Sequence, residues 1–414
     1  MFRKLRLSNG LKYLEVASLC TATAATHAQS LDHQSPSLVK GERFVDFLGR
    51  ASSLHDPADK RRIIDELVKR VKQSHHPIIE DSTVYLMYRG KASRIGIAGD
   101  FNGWNPASDT MSPIDGTDFF YFMKSFDVSA RFEYKLVVDS AWILDPCNTQ
   151  QSIGGYGPNS EIWMPAYTPP MAITYREGTP RGKLDTMSVK STYLNRTHPV
   201  FVYTPAGYAK SRRACPSIFV TDGGEYISLA LMLNVLDNLI ADKRIEPVVA
   251  IFADPRTDIT NSQTSARMYD YTMNASFVNF AVDEVLGRVK KKYRIRRDPR
   301  QTAIMGSSLG GLIATFASYS RPDIFGLCAA QSPSYWWKDE AMIDMMATGR
   351  HVPIKLYIET GTIRDAQVHA RKMKKVLEEK GYEFSYAEYP EGHNWGHWRA
   401  HIEDILVYFF GTQR

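Results

Sequence analysis

Cysteine is scarce in this chain. Its four cysteines, Cys20, Cys147, Cys215 and Cys328, are widely scattered over 414 residues. None forms a C-x-x-C pair, so neither a disulfide framework nor a cysteine metal site is encoded. An excess of charge is also missing. The net charge is +6, and the basic clusters (Lys290-Lys291-Lys292, Arg294, Arg296-Arg297) fall on an expected helix end and loop with no recognition motif, which argues against nucleic-acid binding. Beyond the N-terminus no stretch approaches the roughly 18 apolar residues needed to span a bilayer. No stable membrane insertion is therefore expected once the chain is processed.

What remains is an ordinary soluble composition, 43% hydrophobic and 23% charged, on a chain long enough for two or three domains. Residues 1–28 read as an export signal: a basic start (Arg3, Lys4, Arg6, Lys12), a weakly apolar stretch from Leu14 to Ala25, and the small-residue ending Thr26-His27-Ala28. Export to the periplasm or medium is the expectation, and a cytoplasmic location follows if the segment is not cleaved.

The hydrophobic period changes twice along the chain. Residues 40–80 are helical, with Phe44, Phe47 and Leu48, then Ile63, Ile64, Leu67 and Val71 at helical spacing. Residues 81–167 carry short strand-like runs (Val84 to Tyr88, Arg94 to Ala98, Phe119 to Met123, Phe132 to Val138) without intervening helices, which predicts an antiparallel sandwich. Residues 168–187, with Tyr167-Thr168-Pro169-Pro170 at their start, read as a linker. From 188 to 414 strands and helices alternate: Val200 to Tyr203, Ser217 to Thr221, Val248 to Ala253, Lys355 to Glu359 and Phe384 to Glu388 are strands. Leu229 to Ala241, Phe277 to Tyr293, Ala366 to Lys380 and Trp398 to Phe410 are helices. That grammar predicts an α/β domain with a mostly parallel sheet covered on both faces.

The chemistry centres on Gly306-Ser307-Ser308-Leu309-Gly310-Gly311. The pattern G-x-S-x-G sits between a buried strand ending (Thr302 to Met305) and a helix beginning at Leu312. A serine on so sharp a turn projects its hydroxyl from the sheet edge, with glycines where side chains would collide. Ser308 is thus a candidate nucleophile. A serine needs a histidine base, and the base needs a carboxylate to orient it. His393 follows the final core strand and Asp365 follows the one before it, giving the order Ser, acid, His of the α/β-hydrolase layout. Glu359, at a strand end, competes with Asp365 for the acid role. The oxyanion would be met by the amide of Leu309 and by that of Gly223 or Gly224 in Thr221-Asp222-Gly223-Gly224. His397 completes an H-x-x-x-H spacing with His393. No Glu follows His393 and no third ligand is evident, so neither a metal nor another cofactor is expected.

The catalytic half resembles the enterochelin esterases and the related group that includes feruloyl esterases. The resemblance runs over residues 188–412 and rests on several separated motifs in family order. They are Asp222-Gly223, Arg267 with Asp270-Tyr271, Gly306 to Gly311, Gln331 to Trp337, Gly361 to Asp365, and Gly392-His393 followed by Trp398. It implies an α/β-hydrolase fold, with Ser308, Asp365 and His393 as the triad of a serine carboxylic ester hydrolase working through an acyl-serine. The segments Gly99 to Pro106, Tyr134 to Asp139, and Trp142 with Asp145-Pro146 resemble an early-set, immunoglobulin-like sandwich of the glycogen-binding type.

Two substrate classes follow. A siderophore trilactone of catecholate type would suit the cationic Arg267, Arg364 and Lys338, with Trp336 and Trp337 as an aromatic wall. A feruloylated or acetylated polysaccharide would suit an exported protein whose front domain contacts carbohydrate through Trp104 or Trp142, unless those rings simply pack. Arg267 and Asp270 could instead form a structural ion pair. Acyl transfer to a sugar, and a non-catalytic carbohydrate sensor, are the remaining function classes; the intact Ser, Asp, His order argues against the second.

Overall fold

The computed structural model describes residues 42–412, His75 excepted. The expected signal segment lies outside these residues. Cys147, Cys215 and Cys328 are buried free thiols. Among the described residues no helix is long and apolar enough to cross a membrane.

The first part of the chain builds two antiparallel sheets. One has the order β1 (Ile78–Glu80), β2 (Thr83–Arg89), β5 (Phe119–Ser125), β4 (Ser112–Pro113). The other runs β3 (Ile95–Gly99), β6 (Arg131–Val138), β9 (Gly157–Trp163), β8 (Gln151–Gly154), with β7 (Ala141–Ile143) also paired to β6. Successive strand residues point to opposite faces, and β2 uses both. Val84 and Leu86 face the sandwich interior with Ile97, Phe132 and Leu136. Tyr85 and Met87 face the other way, onto Phe44, Phe47, Ile64 and Leu67. Those last four belong to the helices Phe44–Ser53 and Pro57–Ser74, whose apolar residues recur at helical spacing. The Phe44 ring lies 4.7 Å from that of Tyr85. The N-terminal helices are therefore a third layer on the sandwich and share its hydrophobic core, where the sequence suggested a separate helical segment.

The second part is one eight-stranded sheet in the order β10 (Lys183–Ser191), β11 (Arg196–Thr204), β13 (Val249–Ala253), β12 (Ser217–Val220), β14 (Thr302–Ser307), β15 (Leu327–Gln331), β16 (Lys355–Gly361), β17 (Glu383–Tyr389). Strands β12 to β17 are parallel, and β10 and β11 add an antiparallel edge. Alternate residues feed two apolar layers. Phe219, Ile304 and Cys328 face one set of helices, while Ile218, Ala303 and Ala329 face the other. This is the covered parallel sheet that the strand and helix alternation predicts.

The differences have local causes. Strand β10 begins at Lys183, inside the segment read as a linker, because nine residues of it pair with β11. The helix expected over Leu229 to Ala241 starts late, at Met232, because Leu231 before it takes a left-handed φ of 53°; a separate short helix, Gly223–Ser228, precedes it. Within Phe277 to Tyr293 the segment Phe280–Leu286 is a π-helix. The last helix starts earlier, as Trp395–Ala400, and turns at His401 into Ile402–Phe410. Strand β15 and the helix Trp337–Thr348 were not anticipated. The five residues Leu-Cys-Ala-Ala-Gln of β15 are short, mostly small and carry no alternation.

Candidate active site

Strand β14 is buried throughout and ends at Ser307. The chain then turns at Ser308, with φ 56° and ψ −121°, straight into the helix Leu309–Ser320. Few L-residues adopt this conformation. It is held by the Ser308 amide donating to Gln331 O at 2.9 Å, while the Ser308 carbonyl accepts from Gly311, Leu312 and Ser334. The flanking glycines are required by close approach. A Cβ on Gly306 would sit 2.1 Å from Thr221 Oγ1, and one on Gly310 would sit 2.5 Å from the same atom. The turn thus closes against β12, and the serine hydroxyl is left at the carboxyl edge of the sheet.

His393 and Asp365 reach the same edge from the loops after β17 and β16. His393 Nε2 lies 3.0 Å from Ser308 Oγ, and His393 Nδ1 lies 2.5 Å from Asp365 Oδ1. The other Asp365 oxygen accepts from the Gly361 amide and the Ser332 hydroxyl, each at 2.6 Å. Burial by itself would raise the Asp365 carboxyl. The hydrogen bond and charge of His393 outweigh it and bring the group down to about 2, so it is ionised wherever the histidine can act as a base. An alcohol on an imidazole whose far nitrogen faces a fixed carboxylate can lose its proton as it attacks.

The competing acid is placed elsewhere. Glu359 is fully buried, accepts from Gln331 Nε2 at 2.9 Å and pairs with His397 Nε2 at 2.7 Å. Glu391 lies 3.5 Å from His397 Nδ1 and 2.9 Å from His401 Nε2. The carboxylate of Glu391 and the rings of His397 and His401 gather within 4.8 Å, a grouping missed by pairing His397 with His393, when His401 stands four residues further on. Burial opposes charge on His397, but Glu359 and Glu391 prevail and hold it well above the usual histidine range. Glu391 is correspondingly held low against its own burial, by hydrogen bonds to His397 and His401.

The remaining expected site residues divide. The Leu309 and Gly223 amides, each at the first position of its helix, have no hydrogen-bond partner among the described residues. The Gly224 amide is taken, donating to Asp254 Oδ2 at 2.9 Å, which removes it as an oxyanion donor. Arg267 grips buried Asp222 through Nε and Nη2 and also donates to Ser307 O at 3.0 Å. Those bonds brace the nucleophile strand, while the Arg267 side chain keeps 27% exposure. The suggested pair with Asp270 is not made, since Arg196 holds Asp270. Trp336 is exposed, whereas Trp337 packs partly onto the core. Arg364 is exposed and leans over the β part, 3.3 Å from where a Cβ on Gly103 would lie. Trp104 spends its indole N–H on Asp100, and Trp142 is half exposed on β7.

Sequence reasoning missed Ser334, whose hydroxyl lies 3.3 Å from that of Ser308, and Ser332, which joins Asp365 to Trp398 Nε1. Their presence in Gln331-Ser332-Pro333-Ser334 directly after β15 was the available signal. It also missed Asn394, whose side chain bonds to Arg131 and Asp100 of the β part.

The sequence matches the family described as "Putative esterase" over residues 191–409, more than half of the chain. An iron(III) enterobactin esterase of Dickeya dadantii is 25% identical over 291 residues, 63% of each protein. An endo-1,4-beta-xylanase/feruloyl esterase of Xylanibacter ruminicola is 24% identical over 216 residues, 50% of this chain and 29% of that one. The chain therefore spans less than two thirds of the length of either relative. Among solved structures, the enterobactin esterase of Shigella flexneri superposes with a TM-score of 0.67 at 20% identity, over 79% of this chain and 92% of that one, which is a likeness of fold.

The buried charge cluster beneath the site generates a test. His397→Gln leaves Glu359 without its cation and Glu391 with His401 alone, and should cost about 3–5 kcal/mol of stability at neutral pH. Because the folded histidine is raised, its contribution is complete below the unfolded value of about 6.5 and fades as pH rises through the folded value. Urea unfolding across pH should show the wild type losing its advantage over H397Q in the alkaline range. An advantage that grows with pH would contradict this assignment.

Proposed function

The chain belongs to this esterase family and is a carboxylic ester hydrolase; we propose that it works through an acyl-serine on Ser308, with His393 as base, Asp365 as its orienting acid, and a catecholate-type ester as substrate. The observation that carries the mechanism is His393 bridging Ser308 Oγ and Asp365 through its two ring nitrogens.

As Ser308 Oγ attacks the ester carbonyl, His393 Nε2 takes its proton and Asp365 stabilises the imidazolium through Nδ1–H. The oxyanion draws on the free amides of Leu309 and Gly223, each such donor being worth about 3 kcal/mol. Collapse of the tetrahedral species breaks the bond to the alcohol, which leaves with the proton from His393. Water then attacks the acyl-serine, giving its proton to the same nitrogen, and the acid departs as Ser308 is reprotonated. No metal or redox group enters these steps.

The substrate reading rests on two supports. The relative in Dickeya dadantii that matches across 63% of this chain is an iron(III) enterobactin esterase, and the exposed Arg364 and Trp336 offer a cation and a ring for an anionic aromatic ester. For a glycan-linked ester, Trp142 on β7 would be the stacking surface on the β part. Export through residues 1–28 belongs to the same reading, and the mass of the protein recovered outside the cytoplasm should correspond to a start at Gln29; an intact Met1 there would contradict it.

A side-by-side assay on ferric enterobactin, feruloyl sugars and acetylated xylan decides the substrate class. The trilactone should be cleaved with the highest kcat/KM, and Ser308→Ala should lower kcat by about 10⁴-fold or more on whichever ester is turned over. Preference for a feruloyl or acetyl glycan would overturn the substrate class, and an active S308A would overturn the mechanism.

A further inference from the structure

His393 is poorly packed for a base. Its side chain is 40% exposed, and beyond Ser308 and Asp365 its ring meets the edge of Trp398 at 5.0 Å. Its position must therefore be set by the loop that carries it, residues 390–394, between the end of β17 and the helix Trp395–Ala400. That loop is gripped from outside the catalytic sheet. The Arg131 amide donates to Pro390 O at 3.0 Å. Asn394, directly after His393, has its side-chain amide engaged through both atoms: Nδ2 donates to Asp100 Oδ2 at 2.7 Å, while Oδ1 accepts from Arg131 Nη1 at 2.5 Å and from the His397 amide at 3.0 Å.

The β part is built to hold those groups still. Arg131 is buried and paired with Glu133 and Glu161, and Asp100 also accepts from the Glu133 amide at 2.8 Å and from Trp104 Nε1 at 3.1 Å. Both glycines of the loop region exist to admit them. A Cβ on Gly392 would lie 2.4 Å from Asp100 Cγ, and one on Gly396 would lie 1.8 Å from Arg131 Nη2. We propose that the β part is a positioning element of the active site: Asp100 and Arg131, acting through Asn394, set His393 between Ser308 and Asp365. Asn394, Asp100 and Arg131 are positioning residues, since none touches the reacting atoms. The inference rests on the acyl-serine reading above.

The consequence is a split between kinetic constants. A base displaced by about 1 Å can cost about 10²-fold in rate while ground-state binding is untouched. In the full-length protein with a p-nitrophenyl ester, Asn394→Ala should lower kcat by about 10- to 100-fold and leave KM essentially unchanged. Asp100→Asn keeps the shape while weakening the grip, and should lower kcat in the same direction by less. Tyr134→Phe, which removes the buried bond to Asp145 at 2.6 Å without touching the loop, should lower Tm with kcat unchanged. Wild-type kcat in both N394A and D100N, or an equal kcat loss in Y134F, would overturn the proposal. Ser308→Ala in the same assay separates the two ideas: an inactive S308A beside a fully active N394A leaves the esterase mechanism standing and removes only the clamp.

Discussion

One imidazole has to satisfy two partners at once. His393 reaches Ser308 Oγ at 3.0 Å with one nitrogen and Asp365 at 2.5 Å with the other, and the three residues come from three separate strand ends. Parallel strands make this possible, because β14, β16 and β17 all deliver their carboxyl ends to the same edge. The left-handed turn at Ser308 is tolerable only because its neighbours over-determine it, through the Gln331 carbonyl and the contact of Gly306 and Gly310 with Thr221.

The site also stands on buried charge. Next to the base loop, His397 is shared between Glu359 and Glu391, and Arg267 ties Asp222 to the Ser307 carbonyl of the nucleophile turn. Buried pairs of this kind add little net stability, yet removing one member leaves a costly unpaired charge. Their effect is to give each backbone turn a single arrangement. Glu391 illustrates the economy of the design: its side chain meets His397 and His401, and its carbonyl accepts from the Ile363 amide at 3.0 Å. In this way the loops of the acid and the base are joined.

Much of this was legible in the residues. G-x-S-x-G between an apolar run and a helix specified the turn, since only glycine fits where Thr221 approaches. The positions of Asp365 and His393 after successive strands followed from alternating periodicity. Contacts between distant segments were not legible. Nothing local tells Arg267 to choose Asp222 over Asp270, nor that Gly224 spends its amide on Asp254 while Gly223 does not. Asn394 read as one more loop residue, because its partners lie 294 and 263 positions away in the chain. The helices at Phe44 and Ile64 read as helices from their spacing. Their union with β2 depends on Tyr85 and Met87 facing outward, which is a matter of register.

The central claim is that this arrangement makes one particular alcohol nucleophilic. A fluorophosphonate, which phosphonylates an activated serine and loses fluoride, tests it without reference to any natural ester. Peptide mass spectrometry should find the adduct on Ser308 in the wild type and a far slower reaction in His393→Ala. Modification of another residue, or equal labelling of Ser308 with and without the histidine, would contradict the account.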